Sequence, residues 1–280
     1  MSRGALPNLV VIGAMKSGTT SLHYYLGLHP QIEMSGTKEL NFFCAARSWG
    51  KGVDWYRACY TTDRPIKGDT SPIYTTYPEH DGIPERMSAL LPDVKLVYLV
   101  RDPVDRALSH YLHEVVAELE RRPVEEALLA PGNPYLSRSR YAFQLERYLP
   151  FYPRSSILML THEELLKSRQ QALSRVFSFV GVDAAFRHRR FGMRLHRTDL
   201  KRKKSALGHV VARTVPERLR LRIRRRLGPR LEHLLYLPLS QAVPRAGLDP
   251  AVRAEIAGQL KSDVARLREL TGERFEGWSV

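Results

Sequence analysis

The stretch Asn8-Leu-Val-Val-Ile-Gly13-Ala-Met-Lys16-Ser17-Gly18-Thr19-Thr20 joins an unbroken apolar run to a glycine loop. A short run of this kind predicts a strand buried on both faces of a parallel sheet. Beyond it Leu22, Tyr25 and Leu26 recur at helical spacing and Pro30 closes the segment, so the unit reads strand, loop, helix.

The same grammar recurs twice. Lys95-Leu-Val-Tyr-Leu-Val100 predicts a strand, after which Asp102 as cap and Pro103 at the first helical position open a helix. Ala107, Leu108, Tyr111, Leu112 and Val115 carry that helix to about Glu120. Ile157-Leu-Met-Leu160 leads into a helix from about Glu163 through Leu173, Val176, Phe177 and Val180, stopped by Gly181. Strands alternating with helices imply a parallel sheet with right-handed crossovers, an α/β fold of the P-loop-like, three-layer α/β/α kind.

Past Asp183 the periodicity weakens and basic residues crowd in, at His188-Arg-Arg190, Lys201-Arg-Lys-Lys204 and Arg218 to Arg230. Val215, Leu219, Ile223 and Leu227, at steps of four, put an apolar stripe on a strongly cationic helix. Such a helix docks on the body with its basic face in water, or serves a membrane surface or an acidic acceptor. Asp249-Pro250 then opens a last helix through Ile256, Leu260, Val264, Leu267 and Leu270, ended by Gly272. No internal repeat or long linker divides the chain. One domain over residues 1–280, with a basic helical elaboration at about 188–248, is the economical organisation.

Composition fits an enzyme-sized globular body: 43% of residues are hydrophobic and 26% charged. The net charge of +15 favours anionic partners, whether nucleotides, sulfated or phosphorylated acceptors, nucleic acid or an acidic membrane. Cys44 and Cys59 are too few for a disulfide framework or a structural zinc site, and they suit a reducing compartment. The longest apolar runs fall far short of the roughly 18 residues of a spanning helix. A cytoplasmic protein is expected, with no metal site, since the ten histidines show no metal-ligand spacing.

At Gly13 to Thr20, backbone N–H groups and the positive end of a helix converge where an anion would sit. The hydroxyls of Ser17, Thr19 and Thr20 add donors, and Lys16 supplies the charge that a phosphate or leaving oxyanion needs. A Walker A loop puts Lys directly after its second glycine. Here Lys16 comes two residues before Gly18, which counts against a kinase or NTPase. A second candidate anion site pairs Arg101, at the carboxyl end of a strand, with Ser109, about 9 Å along the next helix at 1.5 Å per residue. That pair suits a doubly charged phosphate monoester.

Lys16-Ser-Gly-Thr-Thr-Ser21-Leu followed by Leu28-His-Pro30 resembles the 5′-phosphosulfate loop of sulfotransferases that use 3′-phosphoadenosine 5′-phosphosulfate (PAPS), in the branch of the heparan sulfate enzymes and their bacterial relatives. The resemblance implies that Lys16 stabilises the leaving phosphate and that Ser17, Gly18, Thr19, Thr20 and Ser21 line the cradle. The stretch from Arg101 through Ser109 resembles the family's 3′-phosphate site. Lys38-Glu39-Leu-Asn-Phe-Phe43 resembles the segment whose Glu is the catalytic base, which implies that role for Glu39.

Gly68-Asp69-Thr70-Ser71-Pro72-Ile-Tyr74 is similar to a family element that usually reads Gly-Glu-Lys-Ser/Thr-Pro-x-Tyr, with Thr70 in place of its Lys. That replacement argues against the grip on a polyanionic sugar seen in the heparan enzymes. Arg138-Ser-Arg-Tyr141 resembles an Arg-Gly-x-Tyr element near the nucleotide, and His196 to Ser205, with Lys201 and Arg202, takes the place of a basic loop that closes over it. The end of the chain, through Trp278, resembles the family's terminal helix and Trp signature. The resemblance implies sulfuryl transfer from PAPS to a hydroxyl or amine of a carbohydrate, lipid or other small-molecule acceptor, without a metal. The rival readings are a P-loop small-molecule kinase or NTPase, and a basic protein of nucleic-acid or membrane surfaces.

Overall fold

The structure, a computed structural model, describes residues 4–193, 202–204, 240–242 and 247–280. The expected apolar runs form strands β1 (Leu9–Gly13), β4 (Lys95–Val100) and β5 (Ile157–Thr161). Two further strands, β2 (Ile32–Met34) and β3 (Ile66–Thr70), were not expected from hydropathy, because β3 reads Ile-Lys-Gly-Asp-Thr and yet is buried throughout. All five lie parallel in the order β2-β3-β1-β4-β5.

Both faces of the sheet are covered, which is why β1 and, after Lys95, β4 are apolar in succession rather than at alternate positions. Leu9 and Val11 of β1, with Val97 and Leu99 of β4, pack on Leu22 and Leu26 of α1 (Thr19–Gly27) and on Leu173 and Phe177 of a later helix. Val10, Ile12, Leu96, Tyr98 and Val100 face the opposite way, onto Phe42, Phe43, Tyr56, Tyr141 and Tyr148. The helices on this side and around it are α2 (Gly52–Ala58), α3 (Ile83–Leu90), α4 (Pro103–Val116), α5 (Val124–Leu129), α6 (Pro134–Ser137) and α7 (Tyr141–Leu145). The helix begun by Asp102 stops at Val116, short of Glu120, because Glu118 turns left-handed at φ 64°.

The helix expected from Glu163 to Val180 is two: α8 (His162–Lys167) and α9 (Arg169–Val180). Ser168 breaks them at φ −129°, ψ 44°. Each half has its own anchor. Thr161 and Glu164 form a reciprocal capping box at the start of α8, and Ala172, Leu173, Val176 and Phe177 bury one face of α9. Gly181 ends α9 left-handed, as its position requires.

The last helix, α10 (Pro250–Thr271), packs Ile256 and Leu260 against Val104 and Ala107 of α4. It also locks the turn after β4: Arg253 pairs with Asp105 at 2.8 Å, and Ser279 N donates to Asp102 Oδ2 at 2.5 Å. Within the basic elaboration, the described residues form an antiparallel pair, β6 (Arg202–Lys204) and β7 (Ser240–Ala242), which the sequence did not signal. The apolar stripe of residues 213–230 lies outside the described residues. No helix among the described residues is long and apolar enough to cross a membrane.

The sheet order places the site. The chain leaves β1 toward the β2 side, while β4 and β5 lie on the other, so the crevice at the carboxyl ends of β1 and β4 is the switch point at which such sheets bind ligands. Leu99 is fully buried in that central pair. Leu99→Ala is expected to lower unfolding stability by about 3 kcal/mol in urea titration, the cost of an unfilled cavity in a large-to-small core change; a loss under about 1 kcal/mol would contradict the packing described.

Candidate active site

The loop after β1 is held by close approach and by backbone bonds. A Cβ on Gly13 would lie 2.1 Å from Thr75 Oγ1, so only glycine fits there. Ala14 N donates to Leu99 O at 2.6 Å, tying the loop to β4. Lys16 and Gly18 then turn left-handed, at φ 71° and 98°. For lysine that conformation costs about 1–2 kcal/mol, and such strain gathers at functional sites. Gly18 starts α1 without a side-chain cap, so the positive helix end has its leading N–H groups at the loop.

His162, at the start of α8, completes the loop from behind. Its Nδ1 donates to Ser17 O at 2.8 Å, and the same nitrogen would sit 2.8 Å from any Cβ on Gly18. Burial, then the charge of Arg101, lowers its pKa and keeps it neutral. Ser17 Oγ is wholly buried and faces the Tyr141 hydroxyl without forming a hydrogen bond of normal geometry. Thr19 is buried, while Thr20 and Ser21 are half-buried in the first turn of α1.

Across the crevice, Arg101 follows the last residue of β4, as expected, with Asp105 Oδ2 3.9 Å from its guanidinium. Tyr141 OH donates to Arg101 O at 2.8 Å, so Tyr141 positions the turn through its backbone. Ser109 is buried two turns along α4. Around it, positive charge outruns its compensation. Arg106 is fully buried and meets no carboxylate among the described residues: Nε donates to Ser139 Oγ at 2.7 Å, a second nitrogen to Tyr135 O, and Nη1 to nothing. Burial lowers its pKa to about 10, leaving it charged.

Arg138 pairs with Glu79 and reaches Met15 Sδ at 3.3 Å, but its Nε is buried without a partner. His110, next to Ser109, has its Nε2 3.5 Å from both Glu114 and Arg138, and its buried Nδ1 is unpartnered. Burial first, then the charges of Arg106, Arg138, His113 and Lys16, push its pKa down to about 2. A neutral histidine among cations and four unsatisfied donor or acceptor atoms describe a place prepared for an anion. A phosphate-bearing nucleotide fits this set of residues.

Glu39 is tied to the last residue of β3. Its N donates to Thr70 O at 3.0 Å, its carboxylate pairs with Lys38, and its backbone is left-handed at φ 64°. It lines a cleft of about 430 Å³ with Gly36, Thr37, Leu40, Ser48, Lys51, Trp55 and Cys59. His23, on α1, reaches Thr70 Oγ1 through Nδ1 at 3.1 Å, and burial together with Lys38 lowers its pKa to about 4. So a neutral imidazole and a hydroxyl stand beside the position where the family element carries Lys.

The structure therefore gathers Lys16, Ser17, Gly18, Thr19, Thr20 and Ser21 in one loop, with Arg101, Ser109 and Tyr141 across the crevice and Glu39 on its own cleft. Lys201 lies outside the described residues; Arg202 is in β6, whose backbone lies against α4. Three histidines of the site, His23, His110 and His162, were missed because no spacing marks them and only tertiary packing brings them in. Among the described residues no cluster of three or more His, Cys, Asp or Glu is placed to hold a metal ion.

Fold and site together define an α/β protein of the P-loop kind with an anion cradle at its switch point. The sequence pattern of the sulfotransferase domain matches residues 6–205, and the chain belongs to the sulfotransferase family. It is 30% identical over 230 residues to heparan sulfate glucosamine 3-O-sulfotransferase 3B1 of Homo sapiens, covering 76% of this chain and 57% of that one. It is 28% identical over 200 residues to bifunctional heparan sulfate N-deacetylase/N-sulfotransferase 2 of Homo sapiens, covering 63% of this chain and 22% of that one. The chain thus spans only part of each relative. A solved sulfotransferase from Alicyclobacillus acidocaldarius shares the fold, with a TM-score of 0.70 at 24% identity, covering 99% of this chain and 100% of that one.

The depressed pKa of His110 has a consequence for stability. A histidine whose folded pKa, about 2, lies below its ordinary 6.5 contributes stability that is fully present above pH 6.5 and lost as pH falls toward the folded value. Urea unfolding of the wild type between pH 6.5 and 5 is expected to show a slope that His110→Gln reduces by up to about 1.4 kcal/mol per pH unit. Equal slopes would mean that His110 is protonated in the folded protein.

Proposed function

We propose that the chain transfers the sulfuryl group of PAPS to a hydroxyl or amine of a carbohydrate or other small-molecule acceptor. The observation that carries this reading is the cationic crevice beside the Lys16 loop, where Arg106, Arg138 and His110 hold buried donor or acceptor atoms without partners among the described residues. Two anionic ends need two sites. The loop of Lys16 through Ser21 would hold the 5′-phosphosulfate, and Arg101 with Ser109 would hold the 3′-phosphate, a group that ATP lacks. Arg202, on a strand beside α4, would add charge over the nucleotide.

The donor supplies an activated sulfur: the acceptor oxygen or nitrogen bonds to it as the bond from sulfur to the phosphate oxygen breaks. The work of the chain lies at either end of that line. Glu39 takes the proton that the acceptor loses, and its left-handed backbone turns the carboxylate into the cleft wall. Lys16, also left-handed, offers its charge to the oxyanion that departs.

The acceptor reading rests on the cleft and on the relatives. Both quoted relatives are named for heparan sulfate, which supports a carbohydrate acceptor. The described lining of the cleft, however, carries Lys51, 4.2 Å above the Trp55 ring, with Lys38 paired to Glu39, and a neutral His23–Thr70 pair stands where the family element carries a cation. A sparsely charged acceptor suits that wall better than a densely sulfated chain.

Incubation with labelled PAPS and pools of carbohydrate, lipid and phenolic acceptors, read by mass spectrometry, is expected to yield a product heavier by one sulfuryl group. Lys16→Ala should reduce its formation by about 100- to 1,000-fold, and Glu39→Gln by about 100- to 10,000-fold. Unchanged turnover in either variant would remove that residue from its assigned role.

A further inference from the structure

Asp69 is the least expected side chain in the sheet. It lies on β3, fully buried, and the groups that hold it are three hydroxyls and a backbone N–H rather than a cation. Ser71 Oγ donates to it at 3.0 Å, Tyr74 OH at 3.0 Å and Tyr56 OH at 3.2 Å. Tyr60 and Cys59, the other titratable groups facing it from the end of α2, are neutral.

Burial raises its pKa from 3.8 to about 6. An acid with a raised folded pKa favours folding in its protonated form below about pH 4, and that contribution is lost as pH rises through 6. At neutral pH the carboxylate therefore costs stability. A charge that weakens the fold calls for a function elsewhere, and its three partners show where it leads.

Each hydroxyl that Asp69 orients fixes a different piece of the cleft. Ser71 Oγ accepts from Asn41 N at 3.0 Å, two residues past Glu39, where Asn41 is itself left-handed at φ 52°. Tyr74 OH accepts from Phe43 N at 3.3 Å. Tyr56 belongs to α2, the helix that carries Trp55 and leads to Cys59 on the cleft wall. The next residue on the strand, Thr70, accepts from Glu39 N. A hydroxyl has one proton; once Asp69 takes those of Ser71 and Tyr74, their oxygens are turned toward the two loop amides as acceptors.

We propose that Asp69 is a positioning residue: through Ser71 and Tyr74 it holds the strained 39–43 loop, and through Tyr56 the facing helix, so that the Glu39 carboxylate stays at the cleft. The catalytic half of this inference rests on the proposed role of Glu39, whereas the structural half does not. Asp69 touches neither Glu39 nor the cleft directly.

Amide hydrogen exchange followed by NMR separates these parts. In Asp69→Asn, the Asn41 and Phe43 amides should exchange at least about tenfold faster, the rate equivalent of about 1.4 kcal/mol of lost protection. Central-sheet amides such as those of Val97 and Leu99 should keep their rates. Ser71→Ala should release Asn41 alone, and Tyr74→Phe should release Phe43 alone; these two variants carry the test if Asp69→Asn does not fold. Unchanged protection at both amides, or a loss spread evenly over the sheet, would overturn the hub. In turnover with PAPS, kcat should fall at least about tenfold with the KM for PAPS unchanged within about twofold, a split expected of a misplaced base with an intact donor site. Faster loop exchange with undiminished kcat would leave Asp69 as the hub of the loop but overturn its effect on catalysis, and would point the failure at Glu39.

Discussion

Positive charge collected where two strand ends meet is the constraint around which the rest of this structure is arranged. Among the described residues Arg106 has no counter-ion and Arg138 leaves a nitrogen unpaired, and His110 is kept neutral by burial and by the cations beside it. Unpaired buried groups are expensive in a folded protein and persist where a ligand completes them. Neighbouring elements hold that concentration in place. His162 braces the loop from α8, Tyr141 holds the Arg101 carbonyl, and α10 with the last residues fastens Asp102 and Asp105.

The cleft beside Glu39 is built by different means. Beside the Glu39 cleft a fully buried carboxylate, that of Asp69, is held by three hydroxyls and a backbone N–H. His23, on α1, meets Thr70, on β3, through Nδ1 and Oγ1 at 3.1 Å, and burial together with the Lys38 charge keeps the imidazole neutral. Lys16 and Glu39 bound this arrangement, and both are non-glycine residues in the left-handed region.

The fold was legible where hydropathy followed the sheet. β1, β4 and β5 are apolar runs because helices cover both faces, and the caps at Asp102, Asp249 and Gly272 stand where the sequence put them. β3 was illegible for a physical reason: Lys67, Asp69 and Thr70 are buried on polar partners, so the strand has none of the apolar character by which strands are recognised. The break at Ser168 carries no glycine or proline to announce it. Around the site, the loop could be read because an apolar strand running into Gly13 and Gly18 marks the turn, and the place of Arg101 because it follows an apolar strand. His23, His110 and His162 could not, since each acts through neighbours distant in sequence. The left-handed backbone at Lys16 and Glu39 could not be read either, because neither residue type signals it.

The central claim is that the crevice recognises two phosphates rather than one polyphosphate. Isothermal titration of the wild-type protein with 3′-phosphoadenosine 5′-phosphate, ADP, and ATP with Mg²⁺ tests it without knowledge of the acceptor. The two-phosphate clamp predicts that 3′-phosphoadenosine 5′-phosphate binds at least about a hundredfold more tightly than ADP, a difference of about 2.8 kcal/mol, and that Arg101→Ala erases most of that preference. Equal affinities, or tighter binding of ATP with Mg²⁺, would contradict it.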